Sequence, residues 1–480
     1  MRPDPVAAMA EHYDLCVIGN GAAGLAVATG AALLGVRVGL IGDGQPEDAG
    51  AHDLATAALL AAADTAETIR RAAAFGLLAA PPDVDFSALQ RRVAAVVEAA
   101  APAGDPERLT ALGVTLIDGR AAFIGPDRLA IATAAATRTL TARRFVIASA
   151  GRVPVPAIPG LDRVPFLTRR SLRTLDRRPD HLTIIGNGAE AFELAQAYRR
   201  LGSVVTLFDT GTPLGGEDPE LVELLLLRLR AEGVRRRGQI RAIADDRGMI
   251  RLTVGPEEAP DTIEASHLLI ATGRRPALES LGLAAAGVAF GPAGIAVDHR
   301  LRTSNRRIHA LGDAIGPRHR AHGASAEAAI VLRNILFRQR ARLDAAAIPR
   351  IVQTDPGLAQ VGLTEREARA ARGAVTILRA PFHDNDRARA EGTAHGLVKI
   401  VTSRRGRVLG VGIVGPAADE LIQAWQLAIA QKLKIGALAG LVAPYPTLGE
   451  ASKRAAGAFF APKLLSSATK SLVRWLAIFG

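Results

Sequence analysis

Apolar residues in this chain gather in short runs that break at glycine, with Ala-rich stretches behind them. From Tyr13 the sequence reads YDLCVIGNGAAGLAVATGAALLGVRVGLIGD. The run Leu15 to Ile18 predicts a strand, the glycines a tight turn, the Ala-rich stretch a helix, and the second apolar run, ending near Asp43, another strand. A second unit of the same kind starts near Leu182, as LTIIGNGAEAFELAQAYRRLGSVVTLFDTG. Further on, Gly396 to Val401 and Arg407 to Val414 predict an antiparallel sheet, and Asp419 to Gln431 a helix after it. The fold class this predicts is α/β, with two Rossmann-like dinucleotide-binding domains and an α+β C-terminal domain.

The glycines give the two units their chemistry. Gly19, Gly21 and Gly24 make a G-x-G-x-x-G fingerprint between strand and helix. Gly19 permits the turn, Gly21 lets the backbone approach a pyrophosphate, and Gly24 lets helix pack on strand. Ala22 and Ala23 begin the helix, whose free N–H groups and partial positive charge face the phosphates. In the second unit Gly186 and Gly188 fill the first two positions and Ala191 the third. Asp209 ends the second strand about 20 residues on, where a carboxylate accepts from both adenosine ribose hydroxyls and repels a 2′-phosphate. That favours NAD over NADP. Two such units in one chain are the signature of a flavoprotein that takes hydride from a nicotinamide onto FAD.

Composition narrows the picture. The chain has 480 residues, 49% hydrophobic and 22% charged, which implies two or three folded domains. Its one cysteine, Cys16, excludes an internal disulfide, a thiolate zinc cluster and an iron–sulfur site. Cys16 lies inside the first strand and reads as an inert buried thiol. The net charge of +12 comes almost wholly from arginine, spread without a long run or an aromatic-interleaved stripe. It reads as a compositional habit, and no nucleic-acid partner is expected. No apolar stretch reaches the roughly 20 residues that span a bilayer, and Met1 to Glu11 has no hydrophobic block. A cytoplasmic protein is expected. His319 and His322, and His383 with Asp384 and Asp386, lack a third ligand at sensible spacing, so no metal site is expected.

Four further segments, LLIATGRRP (268–276), TSNRRIHALGDA (303–314), IPRIVQTDPGLAQVGL (348–363) and GRVLGVGIVGPAADELI (406–422), follow in order. Together with the fingerprints they resemble the flavoprotein disulfide reductases, the group of dihydrolipoamide dehydrogenase, glutathione reductase and mercuric reductase. The resemblance runs from about Tyr13 to about Gly457. It implies an FAD domain at 1–155 and 275–345, an NAD domain at 156–274 and a dimerisation domain at 346–480, hence a homodimer. It also implies Asp313 on the FAD ribityl hydroxyls and Ala324 opening a helix toward the flavin pyrimidine edge. Ala121, Ser149 and Ala150 fall where the family makes main-chain contacts to FAD. Glu193 falls beside the nicotinamide ribose, and Gly273 at a turn bordering both nucleotides.

Several positions depart from the family pattern. The family's paired cysteines follow the first unit; here the stretch is GDGQPEDAGAHDLATAALL, with Asp48 and Asp53 at the cysteine positions and Ala57 at that of a lysine. A flavin-linked disulfide is therefore excluded. The family's H-P-T-x-x-E, supplied across the dimer, reads Tyr445-Pro446-Thr447-Leu448-Gly449-Glu450. Tyrosine titrates near 10 and is a poor base at neutral pH, though it can donate a hydrogen bond to an acceptor; the alternative is a packing residue at the dimer seam. Glu450 without its histidine reads as structural. Gly42 stands where an acidic residue holds the FAD ribose, with Asp43 one step on. Ala189 replaces a bulky gate over the nicotinamide pocket, and Glu190 an apolar residue.

Three functions remain open on these residues. The first is an enzyme in which NADH reduces FAD and electrons pass directly to a small non-disulfide acceptor such as a quinone, a dye, oxygen or a second nicotinamide. The second is a non-catalytic FAD- and NAD-binding dimer, a redox sensor or partner subunit. The third has an external thiol or disulfide acting on the flavin, with Asp48 or Asp53 carrying protons. Dihydrolipoamide dehydrogenase and mercuric reductase activities are disfavoured by the missing cysteines. The C-terminal FFAPKLLSSATKSLVRWLAIFG is basic and amphipathic; it suits an anionic membrane surface or, preferably, packing against the dimer.

Overall fold

The computed structural model describes residues 11–42, 50–100, 104–257, 259–316 and 321–479. Its first sheet is built on the strand Glu11–Ile18, with Val38–Gly42 parallel on one side and Thr137–Ile147 parallel on the other. Val114–Asp118 and Ile308–Ala310 extend the parallel part, while Arg120–Gly125 and Arg128–Ala132 form an antiparallel meander leading into Thr137–Ile147. Leu15, Cys16 and Val17 are fully buried and Ile18 nearly so, because helix Ala22–Ala32 and the meander both pack on the parallel strands. The fingerprint helix Ala22–Ala32 lies against Ala321–Leu336, and Gly30 lets them close: a Cβ there would sit 2.6 Å from Leu332 Cδ1. Ala324, expected to open that second helix, lies in it three residues past Ala321, its first described residue.

The second fingerprint lies in a four-stranded parallel sheet ordered Arg235–Arg237, Val204–Phe208, His181–Ile185, His267–Ile270. A three-stranded meander, Ile240–Asp246, Met249–Val254 and Asp261–Ala265, follows it. The chain enters and leaves this unit side by side, where Gly151–Arg152 pairs with Arg275–Pro276. Helix Ala51–Arg70, which directly follows the stretch around Asp48, packs on Phe86–Ala100 and on the second fingerprint helix Ala189–Arg200. The nucleotide units thus share one core through Ala55, Leu59, Phe86, Phe192 and Tyr198.

A five-stranded antiparallel sheet ends the fold, ordered Arg350–Val352, Gly357–Gly362, Val408–Gly415, Leu397–Ser403, Val375–Pro381. Leu397 pairs with Val414 and Val398 with Ile413, and helix Ala418–Ala430 covers the sheet through Trp425 and Ile422. Two buried ionic hubs fasten it to the nucleotide unit. Lys399 Nζ, 4% exposed, meets Asp218, Glu220 and Glu365 at 2.8–2.9 Å. Arg200, 2% exposed, meets Asp64 at 2.5 Å, Glu232 at 2.7 Å and Asp355 at 2.9 Å. Among the described residues no helix is long and apolar enough to cross a membrane.

Candidate functional site

The two fingerprints are built alike. Gly19 has φ +107°, and a Cβ on it would run into the Ala148 carbonyl; one on Gly24 would run into the Gly19 carbonyl. Both glycines are forced by packing. A Cβ on Gly21 would meet no atom within 4 Å, so the N-terminus of Ala22–Ala32 faces open space. Ser149 Oγ, just past the neighbouring strand, is buried with no hydrogen-bond partner. Asp313 follows Ile308–Ala310; its Oδ2 accepts from the Gly151 N–H at 2.9 Å and faces Arg274 Nε at 3.3 Å. An open phosphate cradle, an orphaned hydroxyl and a fixed carboxylate on one sheet edge fit an FAD. Ala121 stands on the meander strand and Ala150 beside Ser149. Above Gly42 lies the Asn20 amide, where a Cβ would sit 2.4 Å from Asn20 Nδ2. Asp43 and Asp48 fall outside the described residues.

In the second unit a Cβ on Gly186 would strike the Ala271 carbonyl, while one on Gly188 would meet nothing within 4 Å. Ala191 is fully buried, as its packing role requires. A cleft of about 470 Å³ opens there, bordered by Gly188, Ala189, Glu190, Glu193 and Gly273. Glu193 is 1% exposed and its Oε1 accepts from the Gln353 N–H at 2.6 Å, tying the nucleotide helix to the C-terminal sheet. Asp209 closes the strand Val204–Phe208 with Oδ2 on Arg236 and Oδ1 buried without a partner. That orphaned oxygen and the open Gly188 cradle fit a pyridine dinucleotide. In the same cleft Glu217 is held by Arg350 at 3.0 Å; burial nevertheless pushes its carboxyl above the usual range.

Asp53, expected at the position of the family's second cysteine, lies in the first turn of Ala51–Arg70 and pairs with Arg169 at 2.6 Å, both bordering the cleft. Cys16 is fully buried, and burial pushes its thiol well above its usual range, so it is inert. Tyr445 is 73% exposed, its hydroxyl donating to Asp386 Oδ2 at 3.3 Å, and the Asp386 charge raises its pKa further. Glu450 Oε2 accepts from the Thr447 N–H at 3.2 Å, a local cap. His322 Nε2 lies 2.9 Å from the Pro349 carbonyl and His383 Nδ1 3.0 Å from Asp384. Arg169, Gln353, Arg236 and Gly151 were not foreseen as partners. Each pairing joins residues at least 27 positions apart, and no local pattern announces it.

Two dinucleotide cradles, each an open helix N-terminus behind a tight glycine turn, with an α+β domain beside them, define a two-nucleotide oxidoreductase. The pyridine nucleotide-disulphide oxidoreductase pattern matches residues 13–328, and the dimerisation domain of the same family matches residues 348–456. The chain belongs to that family of FAD-dependent pyridine nucleotide oxidoreductases. It is 34% identical over 456 residues to a mercuric reductase of Streptomyces lividans, covering 93% of this chain and 96% of that protein. It is 35% identical over 463 residues to a dihydrolipoyl dehydrogenase of Thermus scotoductus, covering 93% and 97%. The fold matches that of the Cu(II) complex of the HOCl-induced flavoprotein disulfide reductase RclA from Escherichia coli, with a TM-score of 0.80 at 24% identity, covering 93% of this chain and 99% of that one.

Proposed function

We propose that this protein oxidises NADH through FAD and delivers the electrons directly to a small acceptor that is not a disulfide of its own chain. The observation that carries this is a pairing within one cleft: the nucleotide cradle around Gly188 and Glu193 is open, and beside it stands the Asp53–Arg169 ion pair in a chain whose one cysteine, Cys16, is buried elsewhere. FAD, when bound, supplies the centre that takes hydride from the nicotinamide and gives electrons to the acceptor. The chain contributes binding and alignment, since hydride transfer needs proximity more than acid or base help. Gly19, Gly21, Ala22, Ala23 and Gly24 hold the FAD pyrophosphate. Asp313 takes the ribityl hydroxyls and Ser149 Oγ finds its missing partner on FAD. Gly186, Gly188 and Ala191 cradle the NADH pyrophosphate, Asp209 Oδ1 accepts from the adenosine ribose, and Glu193 orients the nicotinamide ribose. Asp209 makes NADH the preferred donor. Ala189 leaves the nicotinamide pocket ungated, and Tyr445 turns its hydroxyl from Asp386 to the acceptor at the dimer seam.

Mercuric reductase and dihydrolipoyl dehydrogenase activities, named for the relatives, are disfavoured because no cysteine pair exists in the sequence. The test is to load the purified dimer with FAD and reduce it with NADH without oxygen. Quinones, ferricyanide, oxygen and a nicotinamide analogue are then offered in turn, with lipoamide and Hg(II) as controls. Turnover with lipoamide or Hg(II) and none with the others would reject the proposal. One observation favours the second reading, a non-catalytic FAD- and NAD-binding dimer. Glu450 is spent on the Thr447 N–H and Tyr445 on Asp386, leaving no acid–base pair at that seam.

A further inference from the structure

A wide cavity lies at the end of the first sheet opposite the first nucleotide cradle. It encloses about 1000 Å³ and is bordered by Leu15, about four residues and ~13 Å along the strand from Gly19. Eight arginines line it, against a single carboxylate, Asp14, among the described lining residues. Four have partners: Arg143 reaches Asp14 at 3.3 Å, Arg302 chelates Asp298, Arg307 lies 3.7 Å from Asp127, and Arg144 donates to the Arg306 carbonyl. Arg300, Arg306, Arg338 and Arg340 have no carboxylate within ion-pair distance among the described residues. In the sequence these arginines fall in four separate places, which is why their charge reads as diffuse; the fold brings them to one wall.

A second, independent observation points to a ligand. His309, on the short strand beside Thr137–Ile147, also lines the cavity and is only 4% exposed. Neither of its ring nitrogens has a hydrogen-bond partner. Burial, with Arg144 and Arg302 facing it and Asp298 opposing them, brings the imidazole down to about 4. At neutral pH the ring therefore keeps one N–H donor and one acceptor, both unmet, and a buried polar group is seldom left so. Leu15, Val36, Ile335 and Leu336 add an aliphatic floor, and no aromatic ring lines the wall for a base to stack on.

We propose that this cavity binds a small polyphosphate anion, one carrying two or more linked phosphoryl groups, at a site separate from both dinucleotides. Guanidinium forks match phosphoryl oxygens in pairs, and four uncommitted forks suit several adjacent negative charges better than a single carboxylate. The His309 N–H supplies the inner contact. The chemistry is shared by inorganic polyphosphates and by the phosphate chains of nucleotides; with no aromatic platform, recognition rests on the phosphates.

The test uses the FAD-loaded full chain at 150 mM salt. Tripolyphosphate is titrated calorimetrically, then orthophosphate and ATP. The expected result is one site per chain for tripolyphosphate and for ATP with similar affinity, at least tenfold weaker binding of orthophosphate, and no displacement by NADH. Arg306→Ala with Arg340→Ala, both exposed side chains, should weaken tripolyphosphate at least tenfold while leaving the flavin spectrum unchanged. Arg235→Ala, in the other arginine-rich strand, should change nothing. In 15N-histidine spectra, the signal removed by His309→Asn should move on adding tripolyphosphate to the parent protein and stay still in the double variant. An absence of saturable binding would overturn the proposal, as would displacement by NADH or full affinity in the double variant. Tighter, competing binding of an RNA oligonucleotide or of anionic vesicles would overturn it in favour of a macromolecular partner.

Discussion

Gly186 and Gly188 stand two residues apart in the second fingerprint, yet alanine at each should fail for a different reason. At Gly188 the new Cβ has no neighbour within 4 Å, and the backbone there is extended (φ −93°, ψ 176°), a conformation alanine adopts freely. Folding should change by under about 1 kcal/mol, the scale of a helix N-cap preference. The methyl instead occupies the space of the dinucleotide pyrophosphate. Losing two charge-assisted hydrogen bonds from the helix N-terminus costs about 3 kcal/mol, or about 100-fold in NADH affinity. At Gly186 the Cβ would lie 2.1 Å from the Ala271 carbonyl and 3.2 Å from Ala191 Cβ, where ordinary contact begins at 3.4 Å. Helix and strand must part by more than an ångström, an overpacking cost of about 3 kcal/mol. The assay is three-fold: flavin content of the purified variants, thermal unfolding, and NADH titration. Gly188→Ala should stay yellow and stable and bind NADH weakly; Gly186→Ala should unfold at lower temperature even without nucleotide. If Gly188→Ala bound NADH within threefold of the parent, or Gly186→Ala were as stable, the cradle geometry argued above would be wrong.

Other perturbations follow from the same contacts. Asp209→Ala should erode the preference for NADH over NADPH at least tenfold in kcat/KM, since the orphaned Oδ1 and the repelling charge go together; an unchanged ratio would put discrimination elsewhere. Lys399→Met leaves Asp218 with its helix-cap bond but no cation and should cost about 3 kcal/mol, read as a lower urea midpoint and faster hydrogen exchange in Leu397–Ser403. Acid should loosen the same junction. Hydrogen bonding from Arg379, then Lys399, holds Glu220 down at about 2, so its contribution is complete above the unfolded value near 4.5 and vanishes as pH falls toward 2. Asp64 and Glu217, whose carboxyls are raised, oppose this in part, and a melting temperature flat from pH 5 to pH 2 would contradict it. The apolar side chains of the C-terminal helix Ser467–Leu476 are exposed, with Trp475 and Phe479 in edge contact at 4.9 Å. Following directly on the dimerisation domain, they should pack on a second copy: truncation after Phe460 should weaken the dimer in sedimentation, whereas an unchanged dimer and loss of flotation with anionic vesicles would assign the tail to membranes.

The parts of the site that glycine spacing governs were legible in the sequence, because a turn that a Cβ would block leaves its mark on the residues themselves. Gly19, Gly24 and Gly186 lie in the tight places their positions imply, and Gly21 and Gly188 in the open ones. The antiparallel pair Leu397–Ser403 and Val408–Gly415 and the helix Ala418–Ala430 appear within one or two residues of expectation. Partnerships between distant segments left no such mark. Nothing near Asp53 announces Arg169, nothing near Glu193 announces Gln353, and the arginines close to His309 in sequence do not announce Arg143, Arg144, Arg338 and Arg340 across from them. Polar side chains that meet across separate elements have no period to read. Their meeting is decided only when the fold brings those elements together.

The central claim is that NADH reduces a flavin in this chain although the chain holds no disulfide. An anaerobic titration of the FAD-loaded protein, followed at the visible flavin absorbance maximum, tests it most directly. Fast and complete bleaching by one equivalent of NADH per flavin is expected, with slower bleaching by NADPH and recovery of the colour when a quinone is added. A yellow protein that neither nucleotide bleaches would contradict the account and leave a nucleotide-binding dimer without redox turnover.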